Sequence, residues 1–231
     1  MSEFAEALGH AGRLLAAFDS GVWEIVLLSL EVSCLAVALA ALCGFPLGAA
    51  LALYVFPGRR AVVILANALM GLPPVVVGLT VYLLLSRSGP LGDLGLLFTP
   101  AAMVIAQWVL VTPIITALTR QVIEDLWEEY EDELRSLGST RAQAIGTLLW
   151  EGRYRLMTAV LAGFGRAIAE VGAVLIVGGN IAHATRVMTT AIALETAKGE
   201  LALALGLGAV LVTLALLINA VAYLTRDLAR A

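Results

Sequence analysis

Five long apolar stretches, separated by polar connections, dominate the pattern of hydrophobic and polar positions along the chain. Each is close to or longer than the ~20 residues with which an α-helix crosses the hydrocarbon core of a bilayer. The pattern therefore predicts an all-α polytopic membrane protein with five transmembrane helices. The predicted spans are Val22–Phe56, Val62–Ser86, Leu94–Leu118, Leu156–Val177 and Leu201–Leu224.

The N-terminal part of this pattern predicts two further features, one in the first span and one in the segment before it. The first span is long for a single crossing, so we expect it to tilt and to bend near Gly44-Phe45-Pro46. Residues 2–20 are short and weakly amphipathic, and we expect an interfacial helix there instead of a sixth span.

Composition supports the membrane class and excludes a nucleic-acid-binding protein. Hydrophobic residues make up 61% of the 231 positions and charged residues 14%, whereas soluble domains are roughly half apolar. The net charge of -4 describes one local cluster, because seven of the 18 acidic residues fall within residues 124–133. No basic patch of the kind that binds nucleic acid is visible. We expect a single transmembrane domain over residues 1–231.

The distribution of basic residues predicts the orientation of the spans. Cytoplasmic connections carry an excess of Lys and Arg, and acidic residues contribute little to this rule. With the N-terminus outside and the C-terminus inside, nine basic residues are cytoplasmic: Arg59, Arg60, Arg120, Arg135, Arg141, Arg153, Arg155, Arg226 and Arg230. Only four are external: Arg13, Arg87, Arg186 and Lys198. We therefore predict an N-out, C-in topology.

The segment from Arg120 to Arg155 is too long and too charged to lie in hydrocarbon. Strong helix formers fill residues 123–137, Gly138-Ser139-Thr140 is typical of a helix stop followed by a new N-cap, and helical character resumes over 141–150. The segment predicts two helices joined by a glycine turn in water. Its residues alone fit a solvated hairpin as well as a docking element.

A resemblance favours the docking element. Residues 130–139, Tyr-Glu-Asp-Glu-Leu-Arg-Ser-Leu-Gly-Ser, resemble the EAA loop of ABC-transporter permeases, with Gly138 at the signature glycine. The resemblance implies the type I ABC importer permease (MetI-like) architecture and a coupling helix, within a cytoplasmic loop at about 120–155, that seats in the ATP-binding subunit. The candidate coupling residues are Asp132, Glu133, Gly138, Ser139, Thr140, Arg141, Ala142, Ala144 and Ile145.

A second resemblance narrows the family. Residues 165–173 and 177–181 resemble elements of permeases that import molybdate, tungstate and sulfate, and residues 185–199 are most similar to tungstate permeases. The resemblance implies tungstate import into a prokaryotic cell through the cytoplasmic or inner membrane, with molybdate or sulfate as alternatives. The implied partners are two copies of an ATP-binding subunit and a periplasmic or lipid-anchored oxyanion-binding protein. A second copy of this chain would enclose the path as a homodimer.

Enzymatic chemistry and cofactor binding find no support in the residues. No GxxxxGK[ST] motif occurs, so ATP and Mg²⁺ are expected in the partner subunit and no cofactor in this chain. His10 and His183 are isolated, which predicts no metal site. A secondary transporter remains an alternative but should show paired repeats. An intramembrane enzyme would need a clustered His, Asp or Ser constellation, which the spans lack.

The second predicted span contains a candidate gate. In Gly71-Leu72-Pro73-Pro74, two prolines remove backbone donors and should break the helix. Non-helical backbone at membrane depth is tolerated where it is buried in protein or lines a cavity. We therefore expect Gly71, Pro73 and Pro74, with Val75 and Val77, to form the gate, and a simple packing kink is the alternative.

The fourth predicted span contains a candidate charge pair. Arg166 and Glu170 are four residues apart, so on one continuous helix they share a face and neutralise each other. The pair either locks helices together or lends positive potential to an anion path. Gly163, Gly165 and Gly172 should permit close approach of neighbouring helices.

Overall fold

A computed structural model describes residues 20–228, so most of the expected interfacial helix, together with His10, Arg13 and Arg230, lies outside the described residues. The described part of the chain is helical, with no strand. Its α-helices are α1 Ser20–Leu53, α2 Arg59–Leu69, α3 Pro74–Leu85, α4 Pro100–Ser136, α5 Arg141–Glu151, α6 Arg153–Ile168, α7 Gly172–Gly178, α8 Met188–Lys198 and α9 Leu201–Leu228. The all-α class is thereby confirmed.

Three of these helices are long and apolar enough to cross a bilayer, namely those covering Gly21–Leu53, Pro100–Ser136 and Leu201–Val221. Two further pairs, α2 with α3 and α6 with α7, reach that length only together, across a bend of the chain. Counting each broken pair as one span gives up to five. The exact number of spans and their orientation stay predictions.

Both internal prolines of the long helices are accommodated without a break. Helix α1 continues through Pro46, and α4 continues through Pro113. Helix α4 begins at Pro100, after a 3₁₀ turn at Gly92–Leu94, and does not begin at residue 94 as expected. The third span and the first helix of the polar segment are therefore one helix of 37 residues.

The expected break at the double proline is confirmed. Helix α2 ends at Leu69, and α3 begins with Pro74 as its first residue, a position where the missing N–H of proline costs nothing. A second break separates α6 from α7 at residues 169–171, where the sequence contains no proline. That break and helix α8 were not predicted.

The described chain divides into two compact units, each with its own packing. The first contains residues 20–35, 74–107 and 168–228. In it α3 packs so closely on α7 that a Cβ at Gly78 would lie 2.7 Å from Ala173 Cα, and α8 packs against α9. A Cβ at Gly172 would lie 3.0 Å from Val75 Cγ2, which confirms the expected close approach there.

The second unit contains residues 36–73 and 108–167. Helix α1 lies close to α4, since a Cβ at Gly48 would lie 2.6 Å from the Thr116 carbonyl oxygen. The expected close approach at Gly163 is confirmed by a distance of 2.8 Å to Val111 Cγ1. At Gly165 a Cβ would have nothing within 4 Å among the described residues, so close approach there stays a prediction.

Candidate functional site

The polar segment, residues 120–155, folds as a helical hairpin, called the hairpin below. Its first arm is the C-terminal part of α4, and its second arm is α5. At 1.5 Å per residue, α4 is about 55 Å long, whereas the hydrocarbon core is about 30 Å thick. The acid-rich end of α4 must therefore extend beyond the membrane and carry α5 with it.

Gly138 makes the turn between the two arms. Its φ of 73° lies in the left-handed region. The Gly138 N–H donates to the Arg135 carbonyl at 3.0 Å, and the Ser139 N–H donates to the Leu134 carbonyl at 3.0 Å. These two bonds form a Schellman motif, which satisfies the last carbonyls of the helix. The predicted helix stop at this glycine is confirmed.

Thr140 begins the second arm as its N-cap. Its backbone is extended, with φ -76° and ψ 158°. The Gln143 N–H donates to Thr140 Oγ1 at 3.4 Å, and the Thr140 N–H donates to Gln143 Oε1 at 2.9 Å. This reciprocal pair is a capping box, which satisfies two of the otherwise unpaired donors at a helix start. The predicted N-cap is confirmed.

An apolar core holds α5 against α4 and the end of α1. Its buried members are Ala49, Leu53, Ile123, Leu126, Ala144 and Leu148. Ile145 and Leu149 of α5 are partly buried beside it, as are Trp127, Tyr130 and Leu134 of α4. Because burial of such side chains contributes on the order of 1.5–3 kcal/mol each, α5 is fixed to the body of the chain.

The outer face of α5 is exposed. It carries Arg141, Ala142, Gln143, Gly146, Thr147 and Trp150. Of the candidate coupling residues, Arg141 and Ala142 lie on this face, whereas Ala144 is fully buried in the core and Ile145 is partly buried. A partner seated on α5 would therefore contact the outer face, and Ala144 and Ile145 would support it from within.

Charge on the hairpin is concentrated on α4. Asp132 and Glu133 are exposed in its last turns. Glu131 pairs with Arg135 at 2.5 Å, one helical turn away. Carboxylates around Tyr130, above all Glu129, raise the pKa of its phenol. Tyr130 therefore stays neutral in an acidic surface.

The candidate gate residues around the double proline differ in exposure. Val75 is 57% exposed in the single chain, whereas Val77 is 6% exposed and packs within the first unit. Gly71 and Pro73 lie in the non-helical break. Val75 is therefore available to a neighbouring subunit, and Val77 is not.

The expectation that Arg166 and Glu170 share one face of a continuous helix is wrong. Helix α6 ends at Ile168, so Glu170 lies in the break that follows. Its side chain is buried, and its Oε1 accepts a bond from the Ala173 N–H at 3.0 Å in the first turn of α7. Mutual neutralisation of the two charges stays a prediction.

Residues 169–198, called the polar connection below, contain a buried hydrogen-bond network that sequence reasoning missed. Thr185 Oγ1 donates to the Gly178 carbonyl at 2.5 Å and accepts from the Ile181 N–H at 3.0 Å. Thr189 Oγ1 donates to the Glu170 carbonyl at 2.7 Å. The run of threonines in a chain this apolar was the available signal.

His183 is the histidine that lies within the described residues. His183 lies 2.7 Å from a carboxylate oxygen of Glu24. Within residues 20–228, no group of three or more His, Cys, Asp or Glu side chains could hold a metal ion.

The family described as "Binding-protein-dependent transport system inner membrane component" matches residues 44–230, which is most of the chain. The chain belongs to this family. It is a multi-pass inner-membrane permease, and membership implies a substrate-binding protein and an ATP-binding subunit as its partners.

Individual relatives match most of the permease. A tungstate uptake system permease protein TupB from Peptoclostridium acidaminophilum is 42% identical over 96% of this chain and 98% of its own length. A probable anion ABC transporter permease protein from Haloferax volcanii is 42% identical over 88% of this chain and 90% of its own. A sulfate transport system permease protein CysT from Salmonella typhimurium is 30% identical over 71% of this chain and 62% of its own.

Proposed function

We propose that this permease moves tungstate into the cytoplasm, driven by ATP hydrolysis in a separate subunit. The observation that carries the proposal is the 42% identity to a tungstate uptake permease along 96% of the chain. The similarity to a sulfate permease is lower and covers less of the chain, at 30% over 71%. Molybdate and sulfate are the alternative substrates.

The substrate is tested with the complete transporter in proteoliposomes. The permease is reconstituted with its ATP-binding subunit, and the binding protein is added with tungstate, molybdate or sulfate. Uptake of each anion is measured alongside ATP hydrolysis. We expect tungstate to be taken up at the lowest anion concentration. Preferential uptake of either other anion would replace tungstate, and uptake without ATP would favour a secondary transporter.

The outer face of α5 is the proposed docking surface for the ATP-binding subunit. Its support is the exposure of Arg141 and Ala142 and the core that fixes α5 from behind. In this arrangement ATP and Mg²⁺ are bound by the partner subunit. Helix α5 of the permease transmits the movement of that subunit to the membrane spans. Two permease copies and two ATP-binding subunits form the proposed assembly, since two-fold symmetry is the commonest symmetry of homo-oligomers and would enclose a path between the two copies.

Docking is tested by adding bulk to this face. Ala142→Trp should prevent copurification of the ATP-binding subunit, because a large ring cannot fit a surface shaped for a methyl group. Ala182→Trp is the matched control: Ala182 is also exposed but lies in the connection after α7, which would be on the opposite side of the membrane in the predicted N-out topology. Equal copurification of both variants would move the docking surface elsewhere.

The break before Pro74 is the proposed gate region, and its exposed Val75 is the position to test. Val75→Cys is introduced in a background from which the free cysteines Cys34 and Cys43 are removed. If two copies face each other at the gate, the new cysteines should crosslink, which needs Cα atoms within about 7 Å. Crosslinking should change with the nucleotide state. Crosslinks that ignore nucleotide would indicate a static packing kink.

A further inference from the structure

The guanidinium of Arg59 joins three helices where the hairpin begins. Its Nε donates to the Leu51 carbonyl at 2.7 Å, and its Nη2 approaches the Ala52 carbonyl at 3.4 Å. These are two of the carbonyls at the end of α1 that lack a partner within the helix. Nη2 also contacts Glu124 Oε1 of α4 at 2.5 Å. Arg59 is itself the first residue of α2.

Glu124 is held in place from its other side. Its second carboxylate oxygen pairs with Nη1 of Arg120, one turn earlier on α4. The Arg120 side chain is 14% exposed and that of Glu124 is 30% exposed, so water shields this network less than it shields a fully exposed pair. The carboxylate is thus oriented toward Arg59 by a fixed neighbour on its own helix.

Helix α2 has little else to hold it. None of its 11 residues is buried. An open groove of about 250 Å³ lies beside α2, lined by Val62 and Leu65 of α2 and by Leu47 and Pro113 of α1 and α4. Apolar packing within the described chain therefore holds α2 only weakly, while Arg59 fixes its first turn.

We propose that Arg59 is a positioning residue for transport. Through Glu124 it ties the first turn of α2 to the helix that carries the hairpin. A displacement of the hairpin then passes to α2 and along the chain to the Pro73-Pro74 break. The proposal rests on the proposed docking function of the hairpin. The core shared by α1, α4 and α5 supports it, because that core makes this end of the unit move as one body.

The test measures tungstate uptake and ATP hydrolysis in the same proteoliposomes, with the permease, its ATP-binding subunit and its binding protein present. Arg59→Gln and Glu124→Gln should each lower the tungstate moved per ATP by about fivefold or more. The double variant should be no lower than the lower single variant, because both changes remove the same contact. Arg59→Lys should give an intermediate ratio, since one ammonium cannot reproduce the guanidinium fork.

The chain offers matched controls beside each residue. The side chain of Arg60 is exposed and forms no hydrogen bond or ion pair within residues 20–228, and Asp125 is exposed next to Glu124. Arg60→Gln and Asp125→Asn remove the same charges from neighbouring positions. Both should leave the ratio of tungstate to ATP unchanged.

Each readout reports on a different claim. Copurification of the ATP-binding subunit tests the docking proposal, and wild-type tungstate uptake tests the substrate. The ratio of tungstate to ATP tests Arg59. An unchanged ratio in Arg59→Gln would overturn the positioning role. So would a fall in uptake and hydrolysis that only follows the amount of assembled complex, because that result would make Arg59 purely structural.

Discussion

The hairpin and the polar connection both interrupt apolar spans, but they satisfy their backbone groups in different ways. In the hairpin, capping partners lie within five residues of each other, as in the bond from the Ser139 N–H to the Leu134 carbonyl. In the polar connection, local bonds are joined by bonds to partners that lie far along the chain. The Met188 N–H donates to Ser29 Oγ at 2.8 Å across 159 positions.

The two regions also differ in burial. Thr140, the N-cap of α5, is exposed, whereas Thr185 is fully buried. A backbone group that loses its partner in water bonds to water instead. A buried group has no such replacement, so the full desolvation cost appears. The same kind of side chain should therefore contribute more in the polar connection than in the hairpin.

Thr185→Val, in the polar connection, should lower the free energy of unfolding more than a substitution in the hairpin does. Valine has nearly the same shape but cannot accept from the Ile181 N–H or donate to the Gly178 carbonyl. Leaving the buried Gly178 carbonyl and the partly buried Ile181 N–H unpaired, at about 1–3 kcal/mol each, should lower the free energy of unfolding by about 2–6 kcal/mol. The measurement is unfolding in mixed micelles followed by circular dichroism. Thr185→Ser keeps both bonds and should cost much less; equal losses for Val and Ser would refute the hydrogen-bond explanation.

Alanine substitution at two glycines compares a buried helix contact, at Gly78, with the exposed turn of the hairpin, at Gly138. Gly78→Ala places a Cβ 2.7 Å from Ala173 Cα, a backbone atom that cannot yield cheaply, and should cost about 1–3 kcal/mol by overpacking. Gly138→Ala meets nothing within 4 Å and should cost only about 1 kcal/mol, from its left-handed backbone. Unfolding in mixed micelles measures both.

Asparagine is the control at both glycines, because it separates the effect of backbone conformation from the effect of packing. Gly138→Asn should recover most of the loss at the turn, because asparagine adopts the left-handed region more readily than alanine. Gly78→Asn should lower the free energy of unfolding more than Gly78→Ala does, because its larger side chain must fit into a contact that is already tightly packed. If Asn behaved alike at both positions, backbone conformation and packing would not be the distinguishing causes.

The contrast also explains which parts of the structure the sequence predicts. The stop at Gly138 and the cap at Thr140 depend on residues within one turn, so local pattern suffices to find them. The break between α2 and α3 is marked by prolines. The break at residues 169–171 has no such mark and is held by Glu170 and Thr189, which lie 19 positions apart. A hydropathy profile averages the apolar character of neighbouring residues, so it does not detect a hydrogen bond between residues that lie far apart in the sequence.

The candidate site follows the same division. The sequence identifies the docking segment, but it does not show that Ala144 turns inward, because the partners that bury it include Ala49 and Leu53 of another helix. Arg59 and Glu124 are 65 positions apart, and neither belongs to a local motif that would connect them. Sequence reasoning therefore finds the segment and misses its attachments.

Thr140→Val should break the hairpin with a moderate effect. It removes the acceptor for the Gln143 N–H at the start of α5, and loss of an N-cap costs about 1 kcal/mol. Because α5 remains packed on its core, we expect local fraying of its first turn and retention of the fold. Hydrogen exchange at residues 141–144 measures this. Exchange that accelerates equally along all of α5 would show that the cap holds the whole helix.

Two charge pairs provide the smallest and most stringent comparison. In the hairpin, the side chains of Arg135 and Glu131 are 59% and 32% exposed, and Arg135→Gln should cost about 0.3 kcal/mol or less. In the polar connection, Lys198 lies 3.0 Å from Glu195, whose side chain is only 9% exposed. Lys198→Gln leaves that carboxylate buried with less compensation and should cost about 1 kcal/mol. Adding salt should weaken the Arg135 pair more, because water and ions reach it freely. Unfolding in mixed micelles at two salt concentrations measures both effects, and equal losses would mean that burial does not separate the two regions.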